Sequence, residues 1–151
     1  MKGYYDITTT LKAALLEDVN VNTVTEGTVN DIDIAKQTIF PLSHLRVDNV
    51  SQEGHTLRFS ISIELVDIVD INNVQTNNRF LGNDNEHDIL NTQLAVGVRL
   101  IERFRRGDLF NEEYALGNDA NYEPLINEYE NGLSGWRLTF DVLYRNEMTI
   151  C

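Results

Sequence analysis

The clearest hydrophobic pattern in the chain is a helical one, in the segment DNEHDILNTQLAVGVRLIERFRRG from Asp84 to Gly107. At about 100° per residue the apolar side chains of this segment fall on one face of a helix. That face consists of Leu90, Leu94, Gly97, Val98, Ile101 and Phe104. Acidic residues at the start and arginines at the end complement a helix dipole, and Gly107 is a typical stop. The pattern predicts one long amphipathic helix that packs on an apolar surface.

A shorter helix is predicted from Tyr4 to Glu17. Its apolar positions recur at four-residue spacing: Ile7, Leu11 and Leu15. The polar stretch that follows alternates only weakly, at Val21–Thr25 and Val29–Ile34. This stretch therefore indicates short edge strands or an extended loop.

Alternation with a period of two begins in the next part of the chain and predicts a hairpin of two strands. The first strand follows Ile39, and a turn is expected at Ser51–Gly54. The second strand, in LRFSISIELVDIVD, alternates apolar and polar residues from Leu57 onward. The alternation shifts at Val66, which predicts a bulge or a strand end near Ile68.

A second pair of strands is predicted around Asn131–Gly135. Four residues of its later strand share one apolar face: Trp136, Leu138, Phe140 and Val142. Leu125 and neighbouring tyrosines supply the partner strand, while Asp108 to Tyr122 reads as acidic and irregular. Two hairpins and two amphipathic helices predict an α+β domain spanning residues 1–151.

In this α+β fold the two helices pack on one face of an antiparallel sheet, which leaves the other sheet face solvated. The residues predicted for the solvated face are Arg58, Ser60, Ser62, Glu64, Arg137, Thr139 and Asp141. A polar sheet face of this kind is available to partner molecules.

The charge of the chain narrows the classes of partner. Its 24 acidic and 12 basic residues give a formal net charge of −12. Sequence-reading nucleic-acid binders need a basic surface, so this class is disfavoured. An acidic protein can still surround DNA that passes through it, because the acidic wall repels phosphate, although simple solubility explains the charge as well. No apolar run has the length of a membrane span, so we expect no membrane contact. The first ten residues, MKGYYDITTT, lack the apolar core of a secretory signal, so we expect synthesis in a cytoplasm.

No pattern in the sequence predicts catalysis or metal binding. His44, His55 and His87 are isolated from one another, and Cys151 is the single cysteine. The carboxylates that flank one loop lack the spacing of a calcium loop: Asp67, Asp70, Asp84, Glu86 and Asp88. A G-x-S-x-G nucleophile motif and a phosphate-binding glycine loop are both missing from the sequence. We therefore expect no enzyme activity, no cofactor and no metal ion.

Two sets of residues are candidate contacts with partners. The first lies in the asparagine-rich segment from Asp70 to Asn85, which is long for a loop inside a domain, and comprises Asn72, Asn73, Asn77, Asn78 and Arg79. The second, the arginine stripe, comprises Arg99, Arg103 and Arg106, which lie within about one-sixth of the helix circumference. A basic stripe complements the acidic surface of another copy, and head-to-side contacts of this kind generate rings. The alternative is a solvated face on which Glu102 pairs with Arg106.

The order of elements and several stretches of the sequence resemble the tail-terminator, or tail-completion, proteins of tailed bacteriophages, which sit at the head–tail joint. The resemblance spans nearly the whole chain, including TIFPLSHLRVDNV and LRFSISIELVDIVD. Its most specific segments are GNDNEHDILNTQLAV and LSGWRLTFDV. No catalytic motif defines such families.

This resemblance implies a structural virion protein whose α+β subunits assemble into a ring, often a hexamer. The implied partners are further copies of the chain, tail-tube proteins, neck or portal proteins, and genomic DNA that passes through without sequence-specific binding. The implied location is the tail or neck of the virion, and the host cytoplasm during assembly. Neck and adaptor proteins, which form rings of other symmetry, are an alternative. A small acidic hydrolase or a carbohydrate-binding module is the alternative from another class.

Overall fold

The computed structural model describes residues 3–27, 40–68, 86–111, 114–126 and 133–145. Three helices and six strands lie in these ranges. In chain order they are α1 (Tyr4–Leu16), β1 (Thr23–Glu26), β2 (Leu42–Glu53), β3 (Thr56–Ile68), α2 (Glu86–Arg106), α3 (Asp108–Asn111), β4 (Tyr114–Leu116), β5 (Asn121–Ile126) and β6 (Leu133–Arg145). The two predicted helices agree with α1 and α2 to within two residues.

The six strands form one open sheet that is mostly antiparallel. Its order is β1-β2-β3-β6-β4, and β5 pairs with the same edge of β6 as β4 does. The central pair, β3 and β6, is antiparallel from Thr56↔Arg145 to Ile68↔Leu133. The sequence predicted an antiparallel sheet; among the described strands, β1 departs from this by running parallel to β2. The α+β class with two long helices is confirmed.

The predicted hairpin is formed by β2 and β3, with a turn at Gly54 and His55. Gly54 has a φ of 62°, a left-handed conformation that suits glycine in such a tight turn. The register shifts in β2, between Val47 and Asn49, and not at Val66. The described part of β3 extends to Ile68, so the bulge or strand end predicted near Ile68 lies at the limit of the described residues.

The helices cover one face of the sheet and form the main core with it. From α1, the apolar face predicted by four-residue spacing is buried: Ile7, Leu11, Ala14 and Leu15. Phe59 of β3 and Phe140 of β6 are buried beneath the helices, and Phe140 contacts Phe104 of α2 at a centroid distance of 5.7 Å. The prediction of which side of the sheet is apolar is therefore confirmed.

The face of α2 that packs on the core differs from the predicted face by a rotation of roughly 70° about the helix axis. Val98 was predicted to be buried but is 43% exposed, and Leu90 and Leu94 are only half-buried. The buried residues of α2 are Ile89, Gln93, Val96, Gly97, Leu100, Ile101 and Phe104. The reason is that α2 packs on α1 as well as on the sheet, so its buried sector extends toward α1.

The opposite face of the sheet is less solvated than predicted. Ser62 and Glu64 were expected in water, but both are buried, and Glu64 is 2% exposed. At one end of this face a second, smaller apolar cluster forms from Leu42, Val66, Leu125 and Leu133. Leu125 therefore belongs to this cluster and not to the main core, because strand alternation turns it to the other side of β5.

The segment predicted to be irregular, Asp108 to Tyr122, contains α3, β4 and the start of β5. These elements are too short for a periodic pattern to reveal. Aromatic contacts attach β4 to the core: Tyr114 meets Phe104 edge-on at 6.5 Å and stacks on Tyr144 at 5.4 Å. The predicted alternation at Val29–Ile34 and the asparagine-rich loop lie outside the described residues. None of the described helices has the length and apolar character needed to cross a membrane.

Candidate functional site

The sheet face opposite the helices carries a set of ion pairs that joins four strands. We define the charged sheet face by its three arginines and five carboxylates: Arg46, Arg58, Arg137, Asp48, Glu53, Glu64, Glu123 and Asp141. Most of these residues occupy every second position of their strands, which turns them away from the helices. The alternation of apolar and polar residues in the sequence had predicted this face of the sheet for four of them: Arg58, Glu64, Arg137 and Asp141.

At the hairpin end of this face, Arg58 bridges three strands. Its Nε donates a hydrogen bond to Glu53 Oε1 at 3.0 Å, and its Nη1 donates to Asp141 Oδ2 at 3.1 Å. Asn118 also donates to Asp141 Oδ2, at 3.0 Å. The hydrogen bonds to Glu53 and then to Asp141 raise the pKa of Arg58, so its charge is fixed in this arrangement.

In the middle of the face the buried Glu64 is paired with Arg137. Arg137 Nη2 lies 3.5 Å from Glu64 Oε1, and Arg137 Nη1 lies 3.8 Å from Glu123 Oε2. On β2, Arg46 Nε donates to Asp48 Oδ1 at 2.6 Å, and Ser62 Oγ donates to Asp48 as well. A carboxylate removed from water needs such a partner, because an unpaired buried charge is very costly.

The charged sheet face is net negative. Three guanidinium groups stand against five carboxylates, which gives this set a formal charge of −2. Each of the three arginines contacts at least one carboxylate of its own chain. Within this set no arginine is without a carboxylate partner; the exposed Arg145, opposite Thr56 at the end of β6, lies on the same side by alternation and is not part of the set.

The arginine stripe contacts the chain's own acidic residues as well. Arg99 forms a two-pronged pair with Asp18 at the end of α1, with distances of 2.8 and 2.9 Å. Burial alone would raise the pKa of Asp18, but the hydrogen bonds from Arg99 and from the Asn20 backbone hold it below its usual value. The pair thus fastens α2 to the end of α1.

Arg103 and Arg106 complete the stripe. Arg103 donates to Asp108 Oδ1 at 2.9 Å and to the Ala14 carbonyl oxygen at 3.3 Å, and it pairs with Glu17 at 3.1 Å. Arg106 donates to Glu102 at 2.8 Å, the pairing predicted for a solvated face. Contact with another copy stays a prediction for these three arginines, whose charges are already matched within the chain. The acidic pair Glu17–Asp18, at the end of the first predicted helix, was the signal that could have revealed the link between the helices.

A groove of about 340 Å³ runs between α1 and α2 beside these ion pairs. Its walls include apolar side chains such as Leu15, Val96 and Leu100, together with the carboxylates Glu17 and Asp18. A carboxylate that acts as a general acid needs a raised pKa, whereas the pKa of Asp18 is lowered. Asp18 is therefore not suited to act as a general acid.

The described histidines and acidic residues that were considered for metal binding do not form a cluster. His44 is buried between Thr25 Oγ1, at 2.7 Å from Nδ1, and the Gly27 carbonyl oxygen, at 3.1 Å from Nε2. A hydrogen on Nε2 satisfies both contacts, so His44 joins β1 to β2. Within the described ranges no three metal-ligating side chains come together.

The remaining candidates are separated or lie beyond the description. Burial raises the pKa of Asp67 at the end of β3, and Asp88 is exposed on α2. Asp70 and Asp84 lie outside the described residues, as do the predicted contacts Asn72, Asn73, Asn77, Asn78 and Arg79. No protein-family model matches this chain, and no curated protein matches it either.

Proposed function

We propose that this chain is a structural virion protein of a tailed bacteriophage, a tail-terminator or tail-completion subunit that forms a ring at the head–tail joint. We further propose that the charged sheet face lines the channel through which the genome passes. The sequence resemblance supports the class of protein. The observation that carries the proposal is the net negative sheet face, whose arginines are held by carboxylates of the same chain.

The chemistry of that face suits the passage of DNA without binding. Lysines and arginines that contact phosphates release counterions and bind DNA tightly, so a basic channel would retain the genome. A face with neutralised arginines and a small negative excess repels phosphate weakly, and salt limits the repulsion to about 10 Å at 0.1 M ionic strength. DNA can then slide past without a strong attraction or a high barrier.

The proposed partners follow from this position. They are further copies of the chain, tail-tube proteins, neck or portal proteins, and the genomic DNA, which meet in the host cytoplasm during assembly. A neck or adaptor ring would use the same channel chemistry. A small acidic hydrolase or a carbohydrate-binding module is the alternative from another class; against the hydrolase, the carboxylate of Asp18 in the groove between the helices has a lowered pKa, which does not suit a general acid.

Negative-stain images of the purified full chain test this proposal. We expect the images to show rings with a central opening that admits duplex DNA. Independently, we expect the neighbouring genes to encode portal, capsid and tail-tube proteins. Single copies in the images, both alone and after mixing with tail-tube and neck proteins, would refute the proposed function.

A further inference from the structure

In the described part of the chain, three buried polar side chains lie between α2 and the sheet without a hydrogen-bond partner. Ser43 of β2 and Ser134 of β6 are 0% exposed, and Gln93 of α2 is 1% exposed. No described residue donates to or accepts from the hydroxyls of the two serines or the Nε2 and Oε1 atoms of Gln93. Buried polar groups in proteins are nearly always hydrogen-bonded, because an unpaired group loses its bonds to water without replacement. These side chains therefore need a partner that the described residues do not supply.

Both serines lie on the helix-covered side of the sheet. Ser43 comes two positions before Leu45 of the main core, and Ser134 comes two positions before Trp136, which contacts α2, so strand alternation places both beneath the helices. Ser43 and Trp136 are the partners of Leu65 in the ladders on its two sides. The two serines therefore lie in the strands on either side of Leu65.

Gln93 lies over the same part of the sheet. Three positions before it, the Leu90 carbonyl oxygen accepts a hydrogen bond from Trp136 Nε1 at 2.7 Å. Four positions after it, a Cβ added at Gly97 would lie 3.1 Å from Leu65 Cδ1. Gln93 is about one helical turn from each of these contacts, so it is buried above Leu65 and Trp136.

The orientation of α2 turns Gln93 toward Ser43. At about 100° per residue, Gln93 falls roughly 40° from Gly97 around the helix, on the side of Val96. Val96 lines the groove between α2 and α1, and α1 packs over β1 and β2. The side chain of Gln93 is therefore displaced from β3 toward β2, the strand that carries Ser43.

The chemistry of these groups points to water as the partner. A serine hydroxyl both donates and accepts, and the glutamine amide donates through Nε2 and accepts through Oε1. A cation would satisfy the oxygen atoms and leave Nε2 unpaired, whereas an anion would leave Oε1 unpaired. Water satisfies both kinds of atom, and it is small enough for a gap between packed layers.

We propose that at least one water molecule is bound inside the protein, between α2 and the sheet, where it bridges Ser43 Oγ and the side-chain amide of Gln93. Ser134 lies opposite the half-buried Asp67 in the β3–β6 ladder, so a second water at that position has a hydroxyl and a carboxylate as partners. This site is independent of the proposed ring, because it lies in the core of a single copy.

A high-resolution crystal structure of the full wild-type chain tests the site directly. We expect an ordered water within about 3.2 Å of both Ser43 Oγ and a side-chain amide atom of Gln93. An empty gap, or a protein group that pairs with both side chains, would overturn the proposal. Density surrounded by six or more oxygen atoms at about 2.4 Å, with the Asp67 carboxylate among them, would show a bound cation and would overturn it as well.

Urea unfolding of Ser43→Ala, Gln93→Met and the double variant tests the bridge in solution. We expect each single change to raise the unfolding equilibrium constant about threefold to tenfold, because the other side chain keeps a less firmly bound water. The double variant should raise the constant by less than the product of the two single effects, because both changes disrupt the same bridge. Single variants that leave the constant unchanged or lower it would mean that the two side chains are dry and unpaired, which would overturn the proposal.

Ser60→Ala is the matched control for Ser43→Ala. Ser60 is a half-buried serine of β3 that strand alternation places on the opposite face of the sheet. Its effect should multiply with that of Gln93→Met without coupling. Equal coupling of Ser43 and Ser60 to Gln93 would contradict a shared water. The wild-type crystal structure decides the question even if Gln93→Met does not fold.

Discussion

The three arginines of the stripe differ in what they contribute to the fold, because their partners differ in exposure. The Asp18 side chain, which accepts two hydrogen bonds from Arg99, is 11% exposed, whereas that of Glu102, the partner of Arg106, is 38% exposed. Exposed ion pairs along one helix add only a few tenths of a kcal/mol to the free energy of unfolding. Bidentate pairs that are better shielded from water add more. The sequence predicted the arginines as one set, since it could not show which of them reaches α1.

Arg99→Gln should therefore lower the free energy of unfolding by about 1 kcal/mol, and Arg106→Gln by less than about 0.5 kcal/mol. Urea unfolding at neutral pH measures both values. Equal costs for the two variants would contradict the role assigned to the Arg99–Asp18 pair.

The same pair predicts a dependence on pH. The pKa of Asp18 is lower in the folded chain than its unfolded value of about 3.9, so the pair stabilises the fold above that value. This stabilisation is lost as the pH falls through the folded pKa. The difference in unfolding free energy between wild type and Arg99→Gln should therefore be smaller at about pH 3 than at neutral pH. Urea unfolding at these two pH values measures it. The same difference in unfolding free energy at both pH values would mean that Arg99 does not stabilise the fold through Asp18.

Gly135 shows a close approach that the sequence presented only as part of a turn. A Cβ added there would overlap the Leu65 carbonyl oxygen and lie 2.9 Å from Val66 Cα, in the neighbouring strand β3. Gly135→Ala should cost at least about 2 kcal/mol of unfolding free energy, because backbone atoms must move. Gly54→Ala is the control. A Cβ at position 54 meets no atom within 4 Å, so only the strain of the positive φ lowers the free energy of unfolding, by about 1 kcal/mol. A Gly135→Ala variant no less stable than the control would contradict the close approach.

At the scale of elements, long periodic segments were predictable and contacts between elements were not. The alternation that begins at Leu57 located β3 and the alternation from Trp136 located β6, because each strand has helices on one side only. The rotation of α2 and the burial of Glu64 depend on neighbours that no local pattern specifies. The exposure of Val98 was missed for the same reason, since Val98 had been assigned to the core.

The attachment of β1 is the element-scale feature that can be tested most simply. β1 joins the sheet through a short parallel ladder with β2, from Thr23↔Leu42 to Glu26↔Leu45, and through the contact of Thr25 with His44. Thr25→Val removes the hydroxyl and leaves a buried ring nitrogen without that partner, at a cost of about 1–3 kcal/mol. We expect faster amide hydrogen exchange in Thr23–Glu26 and a lower free energy of unfolding.

Thr23→Val is the matched control for Thr25→Val, because it makes the same change in the same strand. It should leave both the amide exchange and the unfolding free energy nearly unchanged. Equal effects of the two substitutions would mean that the hydroxyl contact with His44 does not hold β1 in place.

For the whole molecule, composition gave the sign of the charge but not its location. The net charge of −12 predicted an acidic protein, and the fold shows one sheet face on which Arg58 and Arg137 are paired with carboxylates of the same chain. The proposed channel lining depends on this placement. Sequence patterns could not supply it, because the pairs join residues from four separate strands.

Reversing two charges on this face should make the assembled protein retain DNA. Glu53→Lys with Glu123→Lys changes the formal charge of the charged sheet face from −2 to +2, because two of its five carboxylates become cations. We expect duplex DNA to be retained at low salt and released as salt rises, since phosphate contacts are salt-dependent. The control, Asp88→Lys with Asp119→Lys, makes the same net change at exposed positions outside the face. Equal retention by both double variants would contradict a channel lined by the charged sheet face.

A cryo-electron microscopy reconstruction of the assembled wild-type protein tests the central claim most directly. We predict a closed ring in which Arg58 and Arg137 face the central channel and the helices α1 and α2 lie away from it. A ring whose channel is lined by α1 and α2, or a preparation that contains only single copies, would contradict it.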